Sequence, residues 1–207
     1  MNGPASGRPG GEVVGQQFVD EDWYAAELTS HTYRDCAFVD IDLTEAETRG
    51  CRFEGCSFDQ VRFNASVHRQ SSFTACTFSA TSFFTATLEG CRLDGSSFVG
   101  CTLTPLTVEA GSWWGVSLVG ADLRKQVLRD LRLVDADLTQ ADLREADLRR
   151  SDLSGAVLRS ARLERTDLRG AVLAGADLAG ATVRGARLDL LGAVALSTSL
   201  GAVVDPD

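Results

Sequence analysis

Residues 136–155 read ADLTQADLREADLRRSDLSG: four times in twenty residues, a small residue and an aspartate precede a leucine. The beat of five runs far beyond this stretch. Counted in fives from Phe18, the chain meets Trp23, Leu28, Tyr33, Phe38, Leu43, Thr48, Phe53, Phe58, Phe63, His68, Phe73, Phe78, Phe83, Leu88, Leu93, Phe98, Leu103, Val108, Trp113 and Leu118. Leucine then holds every fifth position to Leu178, and Val183 and Leu188 close the series. Of these 35 positions only Thr48 and His68 are not apolar, and no insertion or deletion breaks the count.

Neither regular element accommodates such a period. Five residues of α-helix advance about 140° past a full turn and scatter the large side chains around the axis. On a strand, an odd period sends alternate large residues to opposite faces. The backbone must therefore turn once per five residues, and a solenoid is the natural solution, since each unit buries its apolar residue only by stacking on its neighbours.

Two residues before each centre, a second inward position holds small side chains: Ala26, Cys36, Ala46, Cys51, Ser66 and Ser71 in the first half, Ala136, Ala141, Ala146, Ser151 and Ala156 in the second. All six cysteines (36, 51, 56, 76, 91, 101) fall on it. A metal or disulfide site and a set of small buried thiols are the competing readings. Side chains stacked in parallel point the wrong way for a disulfide, which favours the thiols. His31 and His68 are also inward, as buried neutral imidazoles in preference to bases or ligands. Glycine recurs two residues after the centre, where a tight turn with positive φ favours it.

No phosphate-binding loop, paired-histidine motif or nucleophile elbow is present, so no enzyme, no cofactor and no metal site is expected. No apolar run reaches the length of a membrane span. The opening MNGPASGRPGGEVVG lacks the apolar core of a signal peptide, and residues 1–12 read as a disordered leader; the expected compartment is cytoplasmic. With a net charge of −9, direct binding to nucleic acid is disfavoured, and a basic partner surface is the better match.

The charge is uneven. Residues 1–60 carry 12 acids and 4 bases, residues 61–120 carry 3 of each, and residues 121–207 carry 14 acids and 13 bases. The segment TPLTVEAGSWW (104–114) departs from the pattern: Pro105 sits at a turn, Leu106 replaces a small residue, and the coil is expected to kink or bulge there. Trp113 is a centre, whereas Trp114 faces outward, either as a contact residue or as an ordinary exposed aromatic.

The A-D-L-x-x units resemble the pentapeptide-repeat family, over about residues 13–189. That resemblance implies an all-β fold, a right-handed quadrilateral β-helix with four units per coil, here just under nine coils and about 42 Å long. Twenty-residue stacking then places Asp20 over Asp40, Asp22 over Asp42, and Glu27 over Glu47, an acidic patch on adjoining faces. It likewise stacks Asp122 with Asp142 and Asp147 with Asp167, beside arginines.

Within the family, three segments resemble the gyrase-interacting, fluoroquinolone-resistance type (the MfpA/Qnr group): FVDEDW (18–23), CTLTPLTVE (101–109) and GARLDLLGAVALSTSLGAVV (185–204). The last implies a short helix and a dimerisation segment over 190–207. Leu190, Leu191, Val194, Leu196, Leu200, Val203 and Val204 are too many apolar residues for a free tail, so a cap on the solenoid end or a two-fold homodimer of about 85–100 Å is expected. The resemblance further implies a DNA mimic that binds DNA gyrase, inhibiting it or protecting it from fluoroquinolones. A structural or adaptor solenoid with another protein partner is the alternative.

Overall fold

The computed structural model describes residues 10–205. Every centre from Phe18 to Leu178 is buried. The chain turns a corner after each five-residue unit, and four units return it to the same face one coil on: a right-handed, four-sided β-solenoid with a short C-terminal helix. The residues fall into two compact units divided between Ser112 and Trp113.

In the first unit three sides are short strands, mostly of three residues, paired in parallel at an offset of twenty, and the fourth is a run of single bridges from Asp22 to Thr102. One ladder runs through Gln17–Val19, Ala37–Val39, Ser57–Asp59, Thr77–Ser79 and Ser97–Val99. Another links Glu12, Thr32, Arg52, Ser72, Arg92 and Ser112 in five twenty-residue steps. Inside, the register stacks like on like. The rings of Phe38, Phe58, Phe78 and Phe98 follow one another at centroid distances of 4.8, 4.8 and 4.7 Å, within 11° of parallel. That spacing equals the distance between paired strands, so the ladder itself sets the aromatic stack.

The first strand already includes Glu12, and Gly10 donates its N–H to the Thr29 carbonyl. The coil therefore begins before position 13, because its first turn is held by ladder hydrogen bonds to the second. Residues 1–9 of the expected leader lie outside the described residues.

The second unit keeps the same stride with single parallel bridges in place of strands, as in Asp122–Asp142–Arg162–Thr182 and Val127–Asp147–Asp167–Arg187. Its core is leucine over alanine, with Ala136, Ala141, Ala146, Ala156 and Ala161 fully buried at the second inward position.

Positive φ occurs at the turn position of nearly every unit, and glycine holds fewer than half of these corners. Asp20, Ala25, Asp35, Asp40, Gln60, Glu145 and Arg165 all have φ between 50° and 62°. A non-glycine residue in this region costs about 1–2 kcal/mol; the ladder bond that most of these corner N–H groups make to the next coil offsets it, as from Asp20 to the Val39 carbonyl at 3.0 Å. The segment around Pro105 breaks the rule. Thr104–Pro105 is cis, and the strand Thr107–Ser112 carries two successive positive φ values, 55° at Ala110 and 127° at Gly111. A Cβ on Gly111 would lie 2.3 Å from the Cys91 carbonyl oxygen, so no other residue fits there. This is the bulge expected from the sequence.

Candidate functional site

The outward positions hold the charged groups, and the ladder decides which of them meet. In the first unit Asp22 bridges to Asp42 and Glu27 pairs in register with Glu47. Arg62 reaches both Asp40 and Asp42, at 3.3 Å each, and Arg69 spans Glu47 and Glu89 at 3.0 Å. At Asp42 partial burial acts to raise the carboxyl, but Thr44 and Arg62 outweigh it and hold it below its ordinary range. Asp20 and Glu27 make no side-chain hydrogen bond or ion pair among the described residues. Tyr24 adds a half-exposed ring whose hydroxyl donates to Glu45 at 2.6 Å. From Gly10 to Ser112 the unit carries 15 acidic and 6 basic residues.

The second unit differs. From Trp113 to Asp205 it carries 13 acids and 13 bases, and seven of its carboxylates are clasped by arginine. In the four Asp-Leu-Arg triplets centred on a fifth-position leucine the arginine folds back on the aspartate two residues before it: Arg124 on Asp122, Arg144 on Asp142, Arg149 on Asp147 and Arg169 on Asp167, at 2.6–2.9 Å between Nη2 and Oδ2. Asp142 also meets Arg162 at 3.2 Å, and Asp147 meets Arg129. These forks hold Asp122, Asp142 and Asp167 below the usual carboxylate range. At Asp147 partial burial opposes the effect, but Arg149 and Arg129 prevail. Asp122, Asp142, Asp147 and Asp167 therefore stack as expected, but as neutralised pairs.

Trp114 is half-exposed, and its indole N–H donates to Asp135 at 3.1 Å. The interior offers little chemistry. The six cysteines are free thiols, all buried except the half-buried Cys101; burial pushes Cys91 up to about 11 and raises Cys36, Cys51 and Cys101. His68 is fully buried between Thr48 and Leu88 of the adjoining coils. Ser66 gives its hydroxyl proton to the Phe63 carbonyl at 2.7 Å, so it accepts from His68 Nε2–H at 2.9 Å, and His68 Nδ1 accepts from Thr48 at 2.8 Å. Burial disfavours the imidazolium and takes the ring down to about 3, so the neutral form with Nδ1 as acceptor holds. Among the described residues no group of three or more His, Cys, Asp or Glu side chains is placed to hold a metal ion, and no helix is long and apolar enough to cross a membrane.

The family described as pentapeptide repeats (8 copies) matches residues 117–155 and 151–189. The same twenty-residue register runs through the first unit. Residues 117–189 thus match the pentapeptide-repeat family, and the described residues share its β-helical fold. Two solved structures share its fold. A trypsin-treated single-residue variant of QnrB1, described as a plasmid-mediated fluoroquinolone resistance protein, is 24% identical with a TM-score of 0.61, covering 94% of this chain and 98% of its own. Full-length QnrB1 is 23% identical with a TM-score of 0.53, covering 93% and 100%. No curated protein matches the chain.

The second unit ends in the helix Leu190–Ser199. Asp189 caps it, accepting from Gly192 N–H at 2.8 Å, and its other oxygen accepts from Gly170 N–H in the coil at 2.8 Å. Ser199 accepts from the Leu178 N–H at 2.8 Å. Two side chains thus satisfy donors that a further coil would otherwise take. Leu190 and Leu191 are 79% and 78% exposed, and Leu200, Val203 and Val204 are also exposed. Val194 and Leu196 are half-buried. Leu191 and Val194 line an apolar groove of about 410 Å³ with Ala171, Val172 and Leu173. Sequence reasoning missed the Asp-Leu-Arg forks, although the triplet itself was a legible signal: a residue on either side of an inward leucine emerges on one face.

Proposed function

We propose that the protein binds DNA gyrase as a partial mimic of DNA, inhibiting the enzyme or protecting it from fluoroquinolone-type poisons. The observation that carries this reading is the charge of the first unit. Five ladder steps of about 4.8 Å give it a length of about 24 Å. Its net −9 then amounts to one negative charge per about 2.7 Å, against about 1.7 Å along B-DNA. Fixed on a hydrogen-bonded ladder, Asp20, Asp22, Glu27, Asp40, Asp42 and Glu47 present carboxylates to the Lys and Arg side chains of a DNA-binding groove with little ordering cost. The fold shared with QnrB1, a fluoroquinolone resistance protein, and the Qnr-like segments 18–23, 101–109 and 185–204 support the choice of partner.

The mimicry belongs to the first unit, because its acids outnumber its bases by nine, whereas from Trp113 to Asp205 the second carries equal numbers of both. That unit instead carries the exposed leucines and valines of the helix and tail, which we assign to a two-fold homodimer. The compartment that this partner requires is the cytoplasm. The test is a supercoiling assay with gyrase from the same organism, titrated with the dimer, with and without ciprofloxacin. Inhibition of supercoiling, or rescue from the drug, at micromolar dimer is expected. No effect in either arm refutes the proposal, and a pull-down that recovers another protein and neither gyrase subunit points to an adaptor.

A further inference from the structure

Against the acidic background of the first unit, one corner is basic. The turn positions Gly50, Gln70 and Gly90 stack on successive coils, flanked on one side by Arg49 and Arg69, paired in register, and on the other by Arg52, Ser72 and Arg92. Four of the unit's six arginines therefore border one corner. Two contiguous grooves run along it, of about 510 and 290 Å³, both lined by Gln70 and Gly90. The glycines make the space: a Cβ at either would meet nothing closer than 3.7 Å.

The arginines are not equivalent. Arg69 is shared between Glu47 and Glu89, and Arg92 forks onto Asp94 at 3.0 and 3.1 Å. Arg34 is bound to Glu12 and Glu54, which leaves Glu54, the one carboxylate in the larger groove, already engaged. Arg49 and Arg52 are exposed, and their guanidinium groups make no hydrogen bond or ion pair among the described residues. Lining residues Arg49, Arg52, Arg69, Arg92, Glu54 and Glu89 give the grooves a local charge of +2 in a unit of −9. Gln70, Ser72 and Thr74 add neutral donors and acceptors along the floor.

We infer that this corner is a binding site for a short acidic peptide segment, whose carboxylates engage Arg49 and Arg52. Two free forks suit two separated carboxylates bidentately. The neutral amide and hydroxyls suit peptide backbone groups between them. The surrounding negative charge opposes a long polyanion, and the engaged Glu54 and Glu89 oppose a multiply charged phosphate chain, so a nucleic-acid strand is the poorer fit. This corner adjoins the gyrase-facing carboxylates through Arg69 and Glu47, but a peptide-binding assay without gyrase tests it apart from them.

The experiment measures fluorescence polarisation of fluorescein-labelled hexaglutamate at low ionic strength, titrated with the full-length protein, with Arg49→Ser/Arg52→Ser, and with Arg159→Ser as a charge control in the second unit. The expected result is saturable binding, at least tenfold weaker for the double variant, little changed for the control, and reduced by added salt. Both mutated side chains are exposed and unpartnered, so the double variant should fold. Should it not, Arg49→Lys/Arg52→Lys, which retains charge and loses the forks, should still weaken binding. No binding at millimolar protein, equal binding by all variants, or tighter binding of a labelled dT6 oligonucleotide overturns the proposal.

Discussion

His68 should make the stability of the first unit depend on pH in a way that can be isolated. The ring is neutral in the folded protein, with a pKa near 3, and in the unfolded chain it returns to 6.5. Because the folded value is the lower, the unfolded state binds the extra proton. The contribution is therefore complete above pH 6.5 and is lost as pH falls from there toward 3. At pH 5.5, one unit below the unfolded value, the loss is about 1 kcal/mol, and this pH stays above the sequence pI of 4.7. Urea unfolding of the wild type and of His68→Leu at pH 7.0 and 5.5 gives the comparison. The variant leaves Thr48 and Ser66 without their partner and should be less stable at both values, but its stability should fall less between them, by about 1 kcal/mol. Carboxylates titrate in both proteins and cancel. Parallel pH dependence in the two would show that His68 is not held neutral, and the hydrogen-bond assignment would fail with it.

Other outcomes follow from the coil geometry. Gly111→Ala should cost at least about 2 kcal/mol, since its Cβ meets the Cys91 carbonyl, whereas Gly95→Ala, with φ 66° and open space, should cost about 1 kcal/mol; equal losses in urea unfolding would contradict the bulge geometry. Thiol titration should find six free groups in denaturant and slow reaction in the native protein, with Cys101 first; fewer than six would indicate a disulfide. Leu191→Arg should convert the dimer to a monomer in light scattering, and a dimer that survives it would move the interface away from the helix.

The period of five made the fold legible because only a coil that turns every five residues buries all its centres, and stacking at twenty fixed which residues meet. Asp22 with Asp42 and Glu27 with Glu47 were readable for that reason. The forks were less legible because stacking at twenty encodes pairs between coils, while Arg144 closes on Asp142 within one unit. The corners were half legible: glycine marks the left-handed turn at Gly50 and Gly155, but Asp20 and Arg165 adopt it under the same ladder with no side-chain signal. Division of the chain after Ser112 left only the irregular segment around Pro105 as a trace. Arg49 and Arg52 lie three residues apart in sequence, yet their isolation from carboxylates depends on which coil neighbours Arg34 and Arg69 engage, which no local pattern encodes.

The central claim is that carboxylates of the first unit occupy the place of DNA on gyrase. The direct measurement is displacement of a fluorescent duplex from gyrase, followed by anisotropy, by the wild type and by Asp20→Asn/Glu27→Gln, two carboxylates that make no side-chain hydrogen bond or ion pair among the described residues. The account predicts competitive displacement by the wild type that weakens with salt, and an apparent affinity reduced several-fold in the variant. A wild type that binds gyrase while leaving the duplex in place, or a variant that displaces it equally well, would contradict it.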